Sequence, residues 1–168
     1  MKNNLLFDFI INKDSNTVLV KREFNTKLDA VWDAFTKPEI LDLWWAPKPW
    51  VAQTKVMDFK EGGYWLYAMV SPQNEKHWAR NDFHKIEIHK SYTAEDSFCD
   101  ENGIINHDLP LTKWTNEFSE NASVTTISIT VKYDNAADLE KMIEMGFKEG
   151  FTMTLAALDE LLKTIKNK

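Results

Sequence analysis

Thr126-Ile127-Ser128-Ile129-Thr130-Val131-Lys132-Tyr133 is the stretch on which the fold turns. Its strict alternation sets Ile127, Ile129, Val131 and Tyr133 on one face and Thr126, Ser128, Thr130 and Lys132 on the other, as in a strand with one covered and one wet side. The cover follows directly in the chain. From about Ala137 to Lys166, Ile143, Phe147, Phe151, Leu155, Leu158, Leu162 and Ile165 keep to one helical stripe. Acidic residues at its start (Asp138, Glu140) and basic ones at its end (Lys163, Lys166, Lys168) suit the helix dipole. Gly146 and Gly150 interrupt this pattern, each costing up to about 1 kcal/mol against Ala inside a helix. Four residues apart, they clear one face for the close approach of backbone, side chain or ligand.

Upstream, from Val51 to Tyr133, strand-like runs are separated by the turn signals Gly62-Gly63, Ser71-Pro72-Gln73-Asn74, Asp100-Glu101-Asn102-Gly103 and Glu120-Asn121-Ala122. That texture predicts an antiparallel meander, with Trp65, Tyr67 and Met69 sharing a face. Further back, Thr26 and Asp29 resemble a capping box ahead of Leu28, Val31, Trp32 and Phe35, a short helix with one buried face. Pro38 opens a second short helix that runs to Trp44 and is closed by Pro47 and Pro49. Thr17 to Phe24 reads as the first main strand. Residues 1–16 read as an N-terminal extension that adds one more strand through the apolar run Leu5 to Ile11 and the turn Asn12 to Asn16. The expected fold class is α+β: a curved antiparallel sheet wrapped around a long C-terminal helix, with two short helices after the first main strand.

The chain has 168 residues, 43% of them hydrophobic, and is expected to form a single domain spanning 1–168. A domain of this size buries roughly two-thirds of its unfolded surface and needs no metal or disulfide to hold it. A formal charge of −6 and the lack of a basic stripe argue against nucleic acid and anionic membranes as partners. The lone Cys99 excludes an internal disulfide, and the N-terminal apolar run is too short and too interrupted by Asp8 to be a signal peptide or a span, so a cytoplasmic location is expected. The ring content stands apart: seven Trp, ten Phe and four Tyr either fill a thick core or wall a cavity.

Several segments fall in the order and spacing of a known family: Arg22-Glu23-Phe24, Val31-Trp32, Thr36-Lys37-Pro38-Glu39, Trp44-Trp45-Ala46-Pro47, Met57-Asp58-Phe59, Gly62-Gly63 and Met145 to Phe151. Between about Val18 and Leu162 the chain resembles the activator-of-heat-shock-protein-90-ATPase-like branch of the START-related (SRPBCC) superfamily. The resemblance implies the helix-grip fold, a deep pocket between sheet and C-terminal helix, and binding of a hydrophobic small molecule. Asn81 and Phe151 stand where the family often has Gly and Trp, substitutions that reshape a cavity. The activator that names the branch carries a further N-terminal domain for chaperone binding, so the resemblance speaks to architecture more than to activity.

Searched for chemistry, the chain offers no nucleophile elbow, no phosphate-cradling glycine loop and no cysteine-rich metal site. His77 and His89 fall on the strand face opposite His84, so the clustered histidines do not converge and no metal or cofactor is expected. Arg80, Asp82 and His84 share a face that reads as a surface ion pair. Cys99 lacks a neighbouring cation to activate it. The rings remain. Trp65, Tyr67, Met69, Phe83, Phe98, Trp114 and Phe118 on strands are expected to face Phe147 and Phe151 across a ligand pocket. Tyr67, Tyr133 and the indoles of Trp65 or Trp114 would supply its polar anchors. Trp45, Pro47, Pro49 and Trp50 are candidates for a lid over the pocket mouth or a patch for a protein partner, and Trp44 for an anchor of the second helix.

The leading expectation is a non-enzymatic domain that binds a small hydrophobic or aromatic molecule between sheet and helix. One alternative is a protein-interaction module related to chaperone ATPase activators, acting through the Trp-Pro segment. Another is a polyketide cyclase-like enzyme in which Asp58 or a pocket tyrosine assists as acid or base.

Overall fold

The computed structural model describes residues 2–166. Met1, the first residue of the expected extension, and Lys168, at the basic end of the helical stripe, lie outside the described residues. Eight strands form one antiparallel sheet: β1 (Phe7–Asn12), β2 (Thr17–Phe24), β3 (Val51–Met57), β4 (Tyr64–Val70), β5 (Lys76–Glu87), β6 (Ser91–Cys99), β7 (Thr112–Asn121) and β8 (Val124–Tyr133). Their spatial order is β1-β2-β8-β7-β6-β5-β4-β3. The meander is therefore continuous from β3 to β8, and β2 returns to pair with β8, Val20 lying opposite Ile129 and Val18 opposite Val131. Four helices complete the fold: α1 (Leu28–Thr36), α2 (Pro38–Trp44), α3 (Ala136–Glu144) and α4 (Phe147–Lys166).

The alternation of β8 is realised, with Ile127, Ile129, Val131 and Tyr133 all sealed from solvent. Against them lie Val18, Val20 and Phe24 of β2 and Leu155, Leu158 and Leu162 of α4. Each of these leucines contributes about 1.5–3 kcal/mol by leaving water. Trp44 is buried as an anchor of α2, and its indole N–H donates to the Ala34 carbonyl at 2.9 Å, which ties α2 back onto α1.

Three local expectations give way. The single long C-terminal helix is two: Gly146 sits at φ +91, a left-handed conformation that ends α3 and lets α4 set off in a new direction. It is a helix terminator, and only Gly150 lies inside a helix. The capping box at Thr26 does not form. α1 starts after Lys27, and the Leu28 N–H is instead satisfied by Glu120 Oε1 at 2.6 Å, while the Thr26 carbonyl accepts from Thr125 Oγ1. The β7–β8 turn thus supplies from outside the acceptor that the local sequence was expected to provide. Nor is the outer sheet face wet throughout. Leu66 and Ala68 are buried on the side opposite Trp65 and Tyr67, and the loop at Asp100–Gly103 folds over Leu66, Gly103 lying beside its Cδ2. Arg80 Nη1 to the Gly103 carbonyl (2.9 Å) and Lys55 Nζ to the Glu101 carbonyl (2.7 Å) hold that loop in place.

Candidate functional site

Between the sheet and the α3–α4 junction lies a cavity of about 230 Å³. At about 30 Å³ for each water in the liquid, this is the space of roughly seven or eight waters. β4 contributes Tyr67 and Met69 to its wall, β5 His77 and Ala79, β6 Asp96 and Phe98, β7 Thr112 and Trp114, and β8 Tyr133. α3 and the residues that follow it bring Met142, Met145 and Gly146, and α4 brings Phe147, Gly150, Phe151 and Thr154. Trp45 and Pro47 close the side next to α2. The two glycines matter differently here: Gly146 turns the chain, whereas a methyl group on Gly150 would meet Pro47 Cγ at 3.8 Å, so α4 and the proline segment run in close apposition.

Trp45 is the hub of the ring shell. Its ring meets Trp65 at 5.5 Å, Phe151 at 5.9 Å and Trp114 at 6.0 Å between centroids, and its N–H donates to the Tyr67 hydroxyl at 2.9 Å. Phe147 and Phe151, one helical turn apart, stack at 5.5 Å, and Phe9 of β1 backs Phe147 at 5.9 Å. The other indoles are also committed: Trp65 donates to Thr54 Oγ1 and Trp114 to Thr112 Oγ1, both at 2.9 Å. The indole anchors expected from the sequence are thus already used inside the protein.

Of the nine residues expected in the pocket, Tyr67, Met69, Phe98, Trp114, Phe147 and Phe151 line this cavity. Trp65 and Phe83 do not. They border a separate void of about 20 Å³, room for about a single water, behind Trp45 and Trp114. Phe118 is deeper still, packed against Trp32 at 5.0 Å and Phe35 at 5.3 Å. α1 reaches this end of the sheet and fills it, so the hollow survives only towards the α3–α4 junction. In the Trp-Pro segment, Trp45 and Pro47 are wall, Pro49 is exposed, and Trp50 is half-buried at the rim on the His77 ring, with 5.2 Å between centroids. Three tryptophans do not form one exposed patch.

Among the cavity residues that the sequence reading missed, the one that carries charge is Asp96. In β6, Tyr92, Ala94, Asp96 and Phe98 alternate inward, which leaves a carboxylate on the apolar face. Its Oδ1 is sealed from solvent and has no hydrogen-bond partner. Its strand neighbours in register are Asn81 and Thr112. Burial raises the carboxyl from the ordinary aspartate range to about 7, because charge is poorly solvated there. Burial, together with the Asp96 charge, also pushes the phenols of Tyr67 and Tyr133 upward, so both remain neutral donors and acceptors. Among the described residues, no Lys or Arg lines the cavity.

The other candidates are spent elsewhere. Asp58 is half exposed and faces Lys60 at 3.4 Å. Arg80 pairs with Asp82 at 2.6 Å on the outer face, and His84 faces Glu95 at 3.7 Å. His89 packs on the edge of Trp32. Among the described residues no group of three or more His, Cys, Asp or Glu is placed to hold a metal ion. The Cys99 thiol is pushed up to about 11, chiefly by burial. A wider polar depression of about 670 Å³ runs beside Lys2, Glu23, Asn25 and the β7–β8 turn, but its wall carries no aromatic ring and Lys2 already pairs with Glu23. No described helix is long and apolar enough to cross a membrane.

Comparison with known proteins agrees with this architecture. The chain is similar to the protein Ms6760 of Mycobacterium smegmatis, with 26% identity, a TM-score of 0.85, and 95% of this chain and 97% of that one covered. A solution structure from Arthrobacter aurescens gives 25% identity and a TM-score of 0.88 over 94% and 91% of the two chains. The protein NE0264 of Nitrosomonas europaea gives 26% and 0.79 over 92% and 98%. No curated protein matches the chain at a significant level. The family described as Activator of Hsp90 ATPase homolog 1-like protein matches residues 25–163. From β2's end to the last turns of α4, then, the helix-grip architecture and the sequence agree, and the chain belongs to the Activator of Hsp90 ATPase homolog 1-like family.

Proposed function

We propose that the chain binds a small apolar or aromatic molecule in the cavity between the sheet and α4, without transforming it. The observation that carries this reading is the cavity itself: about 230 Å³, walled by Trp45, Trp114, Phe147 and Phe151. Apolar walls around few polar groups are the usual composition of a small-molecule site. A ligand that binds only the folded state raises the melting temperature. The test uses N-phenyl-naphthylamine, a neutral lipophilic fluorophore. Saturable fluorescence enhancement and a raised melting temperature are expected for the wild type. Both should be lost in Ala79→Phe, which places a ring in the cavity. Equal enhancement in the two proteins would place the dye elsewhere and overturn the reading.

A second reading, an acid–base enzyme, is favoured by one observation, the near-neutral carboxyl of Asp96. It lacks a matched partner, because burial holds both cavity phenols in their neutral form and Asp58 stands outside the cavity. The structure therefore supports binding better than turnover. Of the segment on which the interaction-module reading relied, Trp45 and Pro47 belong to the cavity wall, which leaves it the exposed Pro49 and the half-buried Trp50.

A further inference from the structure

The cavity's charge and hydrogen-bond inventory narrows the kind of molecule it accepts. Three of its polar groups are already engaged: Tyr67 accepts from Trp45, Thr112 accepts from Trp114, and Thr154 Oγ1 donates to the Phe151 carbonyl. Asp96 is different. It lines the cavity, and its Oδ1 is buried with its acceptor capacity unused, a state that costs free energy. No Lys or Arg among the described residues lines the cavity to neutralise it, and Arg80 is committed to Asp82 and Gly103 on the outer face. An anionic guest, such as a fatty acid, would meet a carboxylate with no compensating cation. An ammonium group in the cavity would pair with that carboxylate and lie among aromatic rings, whose faces attract cations.

Resting on the reading of this cavity as a ligand site, we infer that its ligand is a lipophilic amine: one or two rings seated among Trp45, Trp114, Phe147 and Phe151, with a protonated nitrogen on Asp96. The size agrees, since about 230 Å³ has room for a bicyclic ring with a short chain. Selectivity then lies in one side chain. Tyr67 from β4, His77 from β5 at the rim, Thr112 from β7 and Tyr133 from β8 face the cavity beside it, together with Met142 and Met145 near α3 and Thr154 from α4. The phenols are held neutral by burial, and His77→Gln serves as the control for the one imidazole on the cavity wall among the described residues.

Three molecules sharing one ring test this: tryptamine as the cation, tryptophol as the neutral alcohol and indolepropionate as the anion, each titrated calorimetrically into the intact protein. Tryptamine is expected to bind at least about tenfold more tightly than tryptophol, as a charge-assisted hydrogen bond to a buried carboxylate implies. Indolepropionate should bind more weakly than tryptophol. Because an ammonium ion pairs with the ionised form of Asp96, the tryptamine affinity should fall about tenfold per pH unit below 7. Near pH 7 its binding should release a proton, read from the dependence of the heat on the buffer. In His77→Gln both effects should persist, and in Asp96→Asn the preference for the amine should vanish while tryptophol binding remains. If tryptophol matches tryptamine in the wild type, or the amine's pH dependence disappears with His77→Gln, the amine inference is overturned and the cavity reading stands. If none of the three binds, both fall. The wild-type pH series decides even where Asp96→Asn does not fold.

Discussion

Replacing Asp96 by Asn is expected to stabilise the protein, and to do so only above acidic pH. In the folded chain burial raises the carboxyl from 3.8 to about 7, and its Oδ1 is sealed from solvent with no hydrogen-bond partner. A raised folded-state value means that the native protein holds this proton more tightly than the unfolded chain does. The stability contribution is therefore fully present below about pH 4, drains away as the pH rises towards 7, and is flat above it. At about 1.4 kcal/mol per pKa unit, a difference of roughly three units corresponds to about 4 kcal/mol lost between pH 4 and pH 8. Asparagine has nearly the same shape and no charge to strand. Wild type and Asp96→Asn should thus be about equally stable at pH 4 and differ by about 4 kcal/mol at pH 8. For a chain of this length that is a rise in melting temperature of roughly 8–16 °C. Urea titrations with matched m-values at pH 4, 6 and 8 make the comparison. A constant offset across the range, or no gain at pH 8, would show that Asp96 is solvated or paired in solution and would refute the argument.

Two further outcomes follow from the geometry. Gly63→Ala should destabilise the fold by more than about 3 kcal/mol, since its added methyl would lie 2.1 Å from the Asp58 carbonyl oxygen, and backbone strain of that kind cannot be relieved by a side-chain rotation; a urea midpoint equal to that of the wild type would count against the described turn. Cys99 should react with iodoacetamide at pH 8 roughly a hundred times more slowly than an ordinary cysteine, as the thiolate is the reactive form and the thiol is raised to about 11; labelling at the rate of a free thiol would contradict its burial.

The parts of this fold that were readable from the sequence are those where periodicity alone decides. The alternation of residues 126–133 fixed β8's buried face, and Leu155, Leu158 and Leu162 fixed the buried stripe of α4. What periodicity cannot show is direction. Gly146 leaves the apolar stripe nearly intact while it turns the chain, so one helix was expected where there are two, and Met142 and Met145 were missed as cavity wall. The site was legible to the extent that strand parity set Tyr67, Met69, Phe98 and Trp114 inward. Parity does not say how far along the sheet the concavity is filled: α1 consumes the end where Phe118 sits, and Phe59, just after β3, packs on Phe83. Asp96 was within reach of the same parity argument. Its place between Ala94 and Phe98 on the inward face was the available signal.

The closed accounting of the indole N–H groups has an evolutionary consequence. Trp45, Trp65 and Trp114 spend their N–H groups on Tyr67, Thr54 and Thr112, so the ring shell presents its faces to the cavity but no indole donor. On the proposed reading, polar selectivity for a guest would then rest on position 96, because the indole N–H groups that hold the container together are not free to address it. Descendants of such a protein would be free to change clients by altering a single strand residue, and two members with superimposable frameworks need share no client at all.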